Sequence, residues 1–109
     1  DFDANKIQTI AENAAALGAD MLVLDDGWFG KRDSDCSGLG DWFVNEKKLP
    51  GGLGTLVEKV KALGMKFGLW FEPEMVSEDS ELYRVHPDWA IKIPDRKPTR
   101  GRYQLVLDM

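Results

Sequence analysis

The sequence contains little of what metal- and thiol-dependent chemistry requires. It has one cysteine, Cys36, and one histidine, His86, among 109 residues. A single cysteine cannot form an internal disulfide, so nothing indicates an oxidising compartment, and we expect a cytoplasmic protein. One His and one Cys also support transition-metal ligation or a Ser/His/Asp arrangement poorly. We therefore expect no metal and no cofactor.

Long apolar runs and an excess of positive charge are absent as well. No apolar run approaches the ~20 residues of a membrane span. Residues 1–6 have neither the basic nor the apolar region of a signal peptide. The chain carries 19 acidic and 14 basic residues, for a net charge of -5. Proteins that bind nucleic acids more often carry a basic surplus, so we expect neither a nucleic-acid partner nor a membrane.

The first two thirds of the sequence show an αβ pattern that occurs twice. Apolar residues at helical spacing predict a helix over 5–17, with Asn5 as N-cap and Gly18 as stop. The apolar run 21–24 predicts a strand buried on both faces. After a long loop over 27–52, a helix over 53–63 and a strand over 65–71 repeat the pattern. The repeat favours parallel strands, in a doubly wound sheet or a barrel, within one domain.

The last third is less regular. We predict a short helix over 80–85, ended by His86-Pro87, and a short strand over 89–93. A Pro- and Arg-rich turn over 94–101 then precedes a strand over 103–107.

Acidic and aromatic residues follow the predicted strands. Asp25-Asp26-Gly27-Trp28 ends the first strand, Trp70-Phe71-Glu72-Pro73-Glu74 ends the second, and Asp108 ends the third. Ligands of parallel α/β proteins bind at the carboxyl ends of the strands. Carboxylates accept hydrogen bonds from several hydroxyls, and indoles pack on the apolar face of a sugar ring. The pattern therefore favours carbohydrate recognition.

Other interpretations of these residues stay open. A strand-end Asp is often only a turn or helix cap, and a strand Trp more often lies in the core. Adjacent carboxylates repel each other, so a ligand, a cation or backbone donors should offset the repulsion. A metal site is conceivable from four carboxylates: Asp25, Asp26, Glu72 and Glu74.

At these residues the sequence resembles glycoside hydrolase family 36, the bacterial α-galactosidases. The resemblance runs from Ala19 to Asp108. It rests on several motifs in order, which include Leu24-Asp25-Asp26-Gly27-Trp28-Phe29-Gly30, Leu39-Gly40-Asp41-Trp42, Phe67-Gly68-Leu69-Trp70-Phe71-Glu72-Pro73-Glu74-Met75-Val76 and Gln104-Leu105-Val106-Leu107-Asp108. Shorter matches are Lys48-Leu49-Pro50, Leu82-Tyr83-Arg84 and His86-Pro87-Asp88-Trp89.

The resemblance implies that residues 1–109 are a fragment of a catalytic (β/α)8 TIM barrel, with early βα units only. It implies a retaining enzyme that hydrolyses terminal α-1,6-linked galactose from melibiose- and raffinose-type oligosaccharides, often as a homo-oligomeric tetramer. It also implies that the strand over 104–108 belongs to an excursion after the second strand. The isolated chain would then be marginally stable and inactive.

The resemblance also implies the roles of individual residues. Asp25 and Asp26 would bind the galactose 4- and 6-hydroxyls, Trp70 would line the pocket, and Arg102 would reach it. The remaining substrate-binding candidates are Trp28, Asp41, Trp42 and Glu74. We assign no catalytic residue, because the family's nucleophile lies in a later Lys-Trp-Asp motif and its acid/base lies later still. Glu74 is interpreted as a supporting residue, not as a nucleophile.

Three alternatives remain at this point. The parent protein could be a relative that transfers galactose to sugars or accepts N-acetylgalactosamine. It could be a non-catalytic sugar-binding fragment, which would bind galactose without turnover. It could also be a metal- or phosphate-using barrel enzyme, and activity that survives chelation would exclude the metal.

Overall fold

The computed structural model describes residues 2–109, which form two compact units. The first comprises residues 2–28 and 44–70, and the second comprises residues 29–43 and 71–109. The long loop predicted over 27–52 is therefore divided, because residues 29–43 belong to the second unit. Each unit contains its own two-stranded sheet.

The first unit contains two αβ pairs. Helix α1 (Ala4–Ala16) precedes strand β1 (Met21–Leu24), and helix α2 (Gly52–Ala62) precedes strand β2 (Lys66–Leu69). The two strands pair in parallel, and α1 packs against α2. The predicted αβ repeat and its parallel strands are confirmed.

The start of α1 differs from the prediction. Asp3, not Asn5, is the N-cap, and its Oδ1 accepts hydrogen bonds from the backbone N–H groups of Asn5 and Lys6, both at 2.9 Å. Asp and Asn have similar N-cap preferences, so spacing alone did not separate them. The stop at Gly18 is confirmed, since this residue has a φ of 88°. Among residues 2–109, no helix has the length and apolar character needed to cross a membrane.

The burial of β1 on both faces was predicted wrongly for this chain. Met21 and Val23 share one face of the strand and are 49% and 57% exposed, whereas Leu24 on the other face is buried. Alternate residues of a strand point to opposite faces. The two-stranded sheet is therefore covered on one side only by the described residues.

The second unit is built around an antiparallel pair. Strand β3 (Met75–Val76) pairs with strand β4 (Leu105–Val106), and helix α3 (Glu81–Val85) and a 3-10 turn (Pro87–Trp89) lie between them in sequence. The buried core consists of Val76, Ala90, Leu105 and Leu107, with Leu82 and Tyr83 packed against it. The strand near residue 105 thus lies outside the parallel sheet, as the resemblance implied.

Two predictions in this unit are wrong. No strand forms over 89–93, where Ala90 makes only an isolated bridge to Leu107. Pro87 lacks an N–H and has a fixed φ, which suits the first position of the 3-10 turn. The strand predicted over 103–107 is shorter, because Tyr103 lies in a turn at φ 63°. The short strand β3 was not predicted at all.

We expect the isolated 109-residue chain to lose structure gradually on heating. A two-stranded parallel sheet with one uncovered apolar face and open edges buries too little surface for a cooperative transition. Far-UV and near-UV circular dichroism melts test this expectation, with the full-length protein as the cooperative control. A sharp transition of a monomeric fragment, coincident at both wavelengths, would contradict it.

Candidate functional site

The carboxyl ends of β1 and β2 lie side by side. Leu24 pairs in register with Leu69, and the Trp70 N–H donates to the Leu24 carbonyl at 3.0 Å. Asp25 and Trp70 directly follow the paired residues. Because neighbouring strands are ~4.8 Å apart, these two residues leave the sheet at adjacent points of one edge. Asp25 is exposed and Trp70 is half-buried.

The turn after β1 folds back onto the end of β2. Gly27 has a φ of 97°, a conformation that glycine adopts without steric penalty. The Trp28 indole N–H then donates to the Trp70 carbonyl at 3.0 Å. Lys48 Nζ donates to the Gly27 carbonyl at 3.0 Å, and the Asn45 N–H donates to the Trp28 carbonyl at 2.9 Å. These bonds hold the turn against the strand end.

Trp28 is a packing residue in this structure. Its side chain is only 2% exposed, and its indole N–H is bound to the Trp70 carbonyl. These contacts give Trp28 a packing and positioning role, and its predicted contact with substrate stays a prediction. Asp26, in contrast, is half-buried in the turn. The first unit thus brings Asp25, Asp26 and Trp70 to one edge of its sheet.

Asp41 caps a helix in the second unit. Its Oδ2 accepts from the Glu81 N–H at 3.0 Å and its Oδ1 accepts from the Leu82 N–H at 3.1 Å. The Ser80 hydroxyl accepts from the Tyr83 N–H at 3.0 Å, so three N–H groups at the start of α3 have acceptors. Asp41 is only 8% exposed. Because both carboxylate oxygens bind the helix N-terminus, Asp41 has a structural role. Its predicted contact with substrate stays a prediction.

A surface ion pair follows on the same helix. The Arg84 guanidinium lies 2.5 Å from the Glu81 carboxylate. Its hydrogen bond lowers the pKa of Glu81 and, reciprocally, raises the pKa of Arg84. Both side chains are exposed, so the pair contributes little to stability.

Trp42 belongs to an aromatic cluster in the second unit. Its ring centroid is 4.4 Å from that of Phe29 and 5.2 Å from that of Phe71, with tilted ring planes in both pairs. Phe29 is fully buried, whereas Phe71 is exposed. The cluster gives Trp42 a packing role, and its predicted contact with substrate stays a prediction.

Glu74 directly precedes β3, and Arg102 lies in the turn before β4, both in the second unit. Glu74 is exposed, and its backbone carbonyl accepts from the Leu107 N–H at 2.8 Å. Arg102 is exposed in a two-residue turn at φ 50°. Sequence reasoning missed this turn because Arg-Tyr lacks the Asn-Gly signature of such hairpins. The substrate contacts of Glu74 and Arg102 stay predictions.

A metal centre gains no support from the described residues. Within residues 2–109, no group of three or more His, Cys, Asp or Glu side chains could hold a metal ion.

Carboxylates and an indole at the carboxyl ends of parallel strands are typical of α/β enzymes that bind polar substrates at that edge. Comparison with known proteins narrows this broad class to one family. The family model described as Melibiase matches residues 1–109. The chain belongs to the melibiase family.

Individual relatives agree with this assignment. The chain is 60% identical over 108 residues to the bifunctional α-galactosidase/sucrose kinase AgaSK of Mediterraneibacter gnavus. This alignment covers 99% of the chain and 12% of that protein. It is 59% identical over 108 residues to α-galactosidase AgaA of Geobacillus stearothermophilus, covering 99% of the chain and 15% of that protein. The chain thus spans a small part of the length of these relatives.

Solved structures show the same fold. A variant of the GH36 α-galactosidase AgaA from Geobacillus stearothermophilus, in complex with raffinose, matches with a TM-score of 0.95 and 58% identity over 99% of this chain and 15% of that chain. The α-galactosidase from Thermus thermophilus, in complex with p-nitrophenyl α-D-galactopyranoside, matches with a TM-score of 0.81 and 30% identity over 98% of this chain and 22% of that chain.

Replacing Asp41 with alanine should destabilise the protein. The change leaves the Glu81 and Leu82 N–H groups without their carboxylate acceptor, and we expect a loss of about 1–3 kcal/mol. Urea unfolding of the full-length protein measures the loss, and Asp35→Ala is the control, since Asp35 is an exposed residue of the same loop. Loss of activity with an unchanged unfolding midpoint would instead favour a direct substrate contact for Asp41.

Proposed function

We propose that this chain is an early part of the (β/α)8 catalytic barrel of a retaining α-galactosidase. The enzyme would hydrolyse terminal α-1,6-linked galactose from melibiose- and raffinose-type oligosaccharides. The observation that carries the proposal is the in-register parallel pair β1–β2, whose ends present Asp25 and Trp70 at one edge. A parallel, in-register pair of strands supports the proposal because neighbouring staves of a barrel pair in this way and substrates bind at their carboxyl ends.

The relatives support the same activity. The melibiase-family proteins AgaSK and AgaA, to which the chain is 60% and 59% identical, are named α-galactosidases. Variants of AgaA bind raffinose and stachyose in solved structures that match 99% of this chain. We therefore propose an α-galactoside oligosaccharide as the substrate of the whole protein.

The first unit would bind the galactose through hydrogen bonds from its hydroxyls to carboxylates. Asp25 and Asp26 would accept hydrogen bonds from the 4- and 6-hydroxyls, as the family resemblance implies. Hydroxyl donors also offset the repulsion between two adjacent carboxylates. Trp70 would line the pocket, and Trp28 would position it, because the Trp28 indole binds the Trp70 carbonyl at 3.0 Å.

Residues of the second unit would act in two ways. Arg102 is proposed to contact the α-galactoside directly through its exposed guanidinium. Trp42 and Glu74 are secondary candidates for substrate contact. Asp41 would support them only indirectly, by holding the N-terminus of α3.

The two reacting carboxyl groups would come from outside this chain. A retaining glycosidase needs a nucleophile and an acid/base ~5–5.5 Å apart. In the family these groups lie on later strands, so the isolated 109 residues would bind sugar weakly and leave it uncleaved. Two carboxyl groups complete the retaining mechanism, so the proposal includes no metal and no cofactor. We further propose that the enzyme is cytoplasmic and homo-oligomeric, with a tetramer as the expected form.

Replacing Asp26 with alanine in the full-length enzyme should impair α-galactoside binding. Loss of one charge-assisted hydrogen bond corresponds to about 1.5–3 kcal/mol, or roughly a tenfold to hundredfold fall in kcat/KM, mainly through KM. Steady-state kinetics with melibiose measure the effect. Asp20→Ala is the matched control, because Asp20 is an exposed carboxylate at the amino end of the same strand.

The Asp26→Ala enzyme tests the role of Asp26, whereas the unmodified enzyme tests the proposed function. Unchanged kinetics of the Asp26→Ala enzyme would remove Asp26 from the site. An unmodified enzyme that cleaves no α-galactoside would overturn the proposed function, and one that binds galactose without turnover would favour a sugar-binding protein.

A further inference from the structure

A short segment of the first unit binds the turn after β1 at two successive carbonyl groups. The Lys48 ammonium donates to the Gly27 carbonyl at 3.0 Å, and the Asn45 N–H donates to the Trp28 carbonyl at 2.9 Å. All four residues belong to the same compact unit. Neither Asn45 nor Lys48 was predicted to take part in substrate binding.

Lys48 is fixed through its backbone as well as through its ammonium group. The Asn45 Oδ1 accepts from the N–H groups of Lys47 and Lys48, at 3.1 and 3.2 Å. The Lys48 carbonyl accepts from the Ala4 N–H at 2.9 Å. The ammonium lies 5.6 Å from the centroid of the Phe2 ring, within the range of a cation–π contact. Contacts at both ends of the side chain make the ammonium a fixed donor at the turn.

Asp25 and Asp26 are placed by different interactions. Asp25 directly follows β1, whose last residue, Leu24, is paired in the sheet. Asp26 lies one residue further along, next to Gly27, which has a φ of 97°. Backbone at glycine has more conformational freedom than at other residues. Sheet pairing therefore places Asp25, whereas the orientation of Asp26 depends on what binds the turn.

The charge of Lys48 suits a turn with two adjacent carboxylates. Like charges at neighbouring positions repel each other, and a nearby positive charge offsets the repulsion. Lys48 is half-buried, and its ammonium binds the carbonyl of the residue next to Asp26. A partly buried charge is screened by salt less than an exposed one. Lys48 thus offsets part of the repulsion while Asp25 stays exposed.

We propose that Lys48 is a positioning residue for galactose binding, which holds Asp26 in its binding orientation through the Gly27 carbonyl. The inference rests on the proposed function and adds to it a residue that acts through the backbone. Asn45 acts one step further away, because it orients the backbone of Lys48. A lysine that only stabilised the fold would change the unfolding midpoint and leave the affinity for the sugar unaltered.

The test compares Lys48→Met with Lys47→Met in the full-length enzyme. Methionine keeps a long unbranched side chain but removes the charge and the N–H donors. We expect Lys48→Met to raise the KM for melibiose and the Ki of free galactose roughly threefold to tenfold, because the turn then samples orientations that bind sugar poorly. The kcat should change little. Lys47 is an exposed neighbour, so Lys47→Met should leave these constants unchanged.

A double-mutant cycle with Asp26→Ala separates positioning from general stabilisation. If Lys48 acts through Asp26, Lys48→Met should change KM by less than about twofold once Asp26 is alanine. An equal loss in both backgrounds, or an unchanged KM for Lys48→Met alone, would overturn the inference. Failure of the unmodified enzyme to cleave any α-galactoside would instead overturn the proposed function.

A second variant keeps the test decisive if Lys48→Met fails to fold. Asn45→Ala removes the side-chain acceptor that orients Lys48. It keeps the backbone N–H that binds the Trp28 carbonyl. Glu46→Ala, at an exposed neighbouring position, is its control. Asn45→Ala should also raise KM, and only while Asp26 is present. No rise in KM, or a rise that persists in the Asp26→Ala background, would contradict the inference.

Discussion

The in-register parallel pairing of β1 with β2 is the constraint on which the arrangement at the strand ends depends. Leu24 opposite Leu69 makes both strands end at the same level. The ladder continues for one bond, from the Trp70 N–H to the Leu24 carbonyl, and so places Trp70 beside Asp25. A shift of one residue would turn every side chain of the strand to the opposite face. The position of the carboxylate is therefore set by backbone pairing.

The candidate side chains of the two units divide into those that hold the backbone and those that are exposed. Trp28 and Asp41 are in the first group, because an indole N–H and two carboxylate oxygens are bound to backbone groups. Asp25 and Arg102 are in the second group, since both are exposed. Composition cannot separate the groups, because an aspartate that caps a helix and one that binds a sugar are the same residue type.

The parts of the fold that depend on local pattern were predictable. The helices α1 and α2, the strands β1 and β2 and the stop at Gly18 follow from apolar spacing and glycine. The antiparallel pair of β3 and β4 was not predictable in full, because each strand has only two residues and forms by pairing with the other. The turn at Arg102 and Tyr103 also escaped prediction, since neither residue is typical of positive φ and the turn is closed by two backbone hydrogen bonds between Gly101 and Gln104.

The sequence by itself determined the family, the parallel αβ repeat and the set of carboxylates and indoles that follow the strands. These properties reside in residue order and in periods of two and 3.6, which are local. Only the tertiary structure decided which of these residues are open and which are bound to backbone. Burial and hydrogen bonding join residues about 40 positions apart, as in Trp28 with Trp70 and Asp41 with Glu81. These partners meet only in the folded chain, and they are bonded there because an unpaired buried polar group is destabilising.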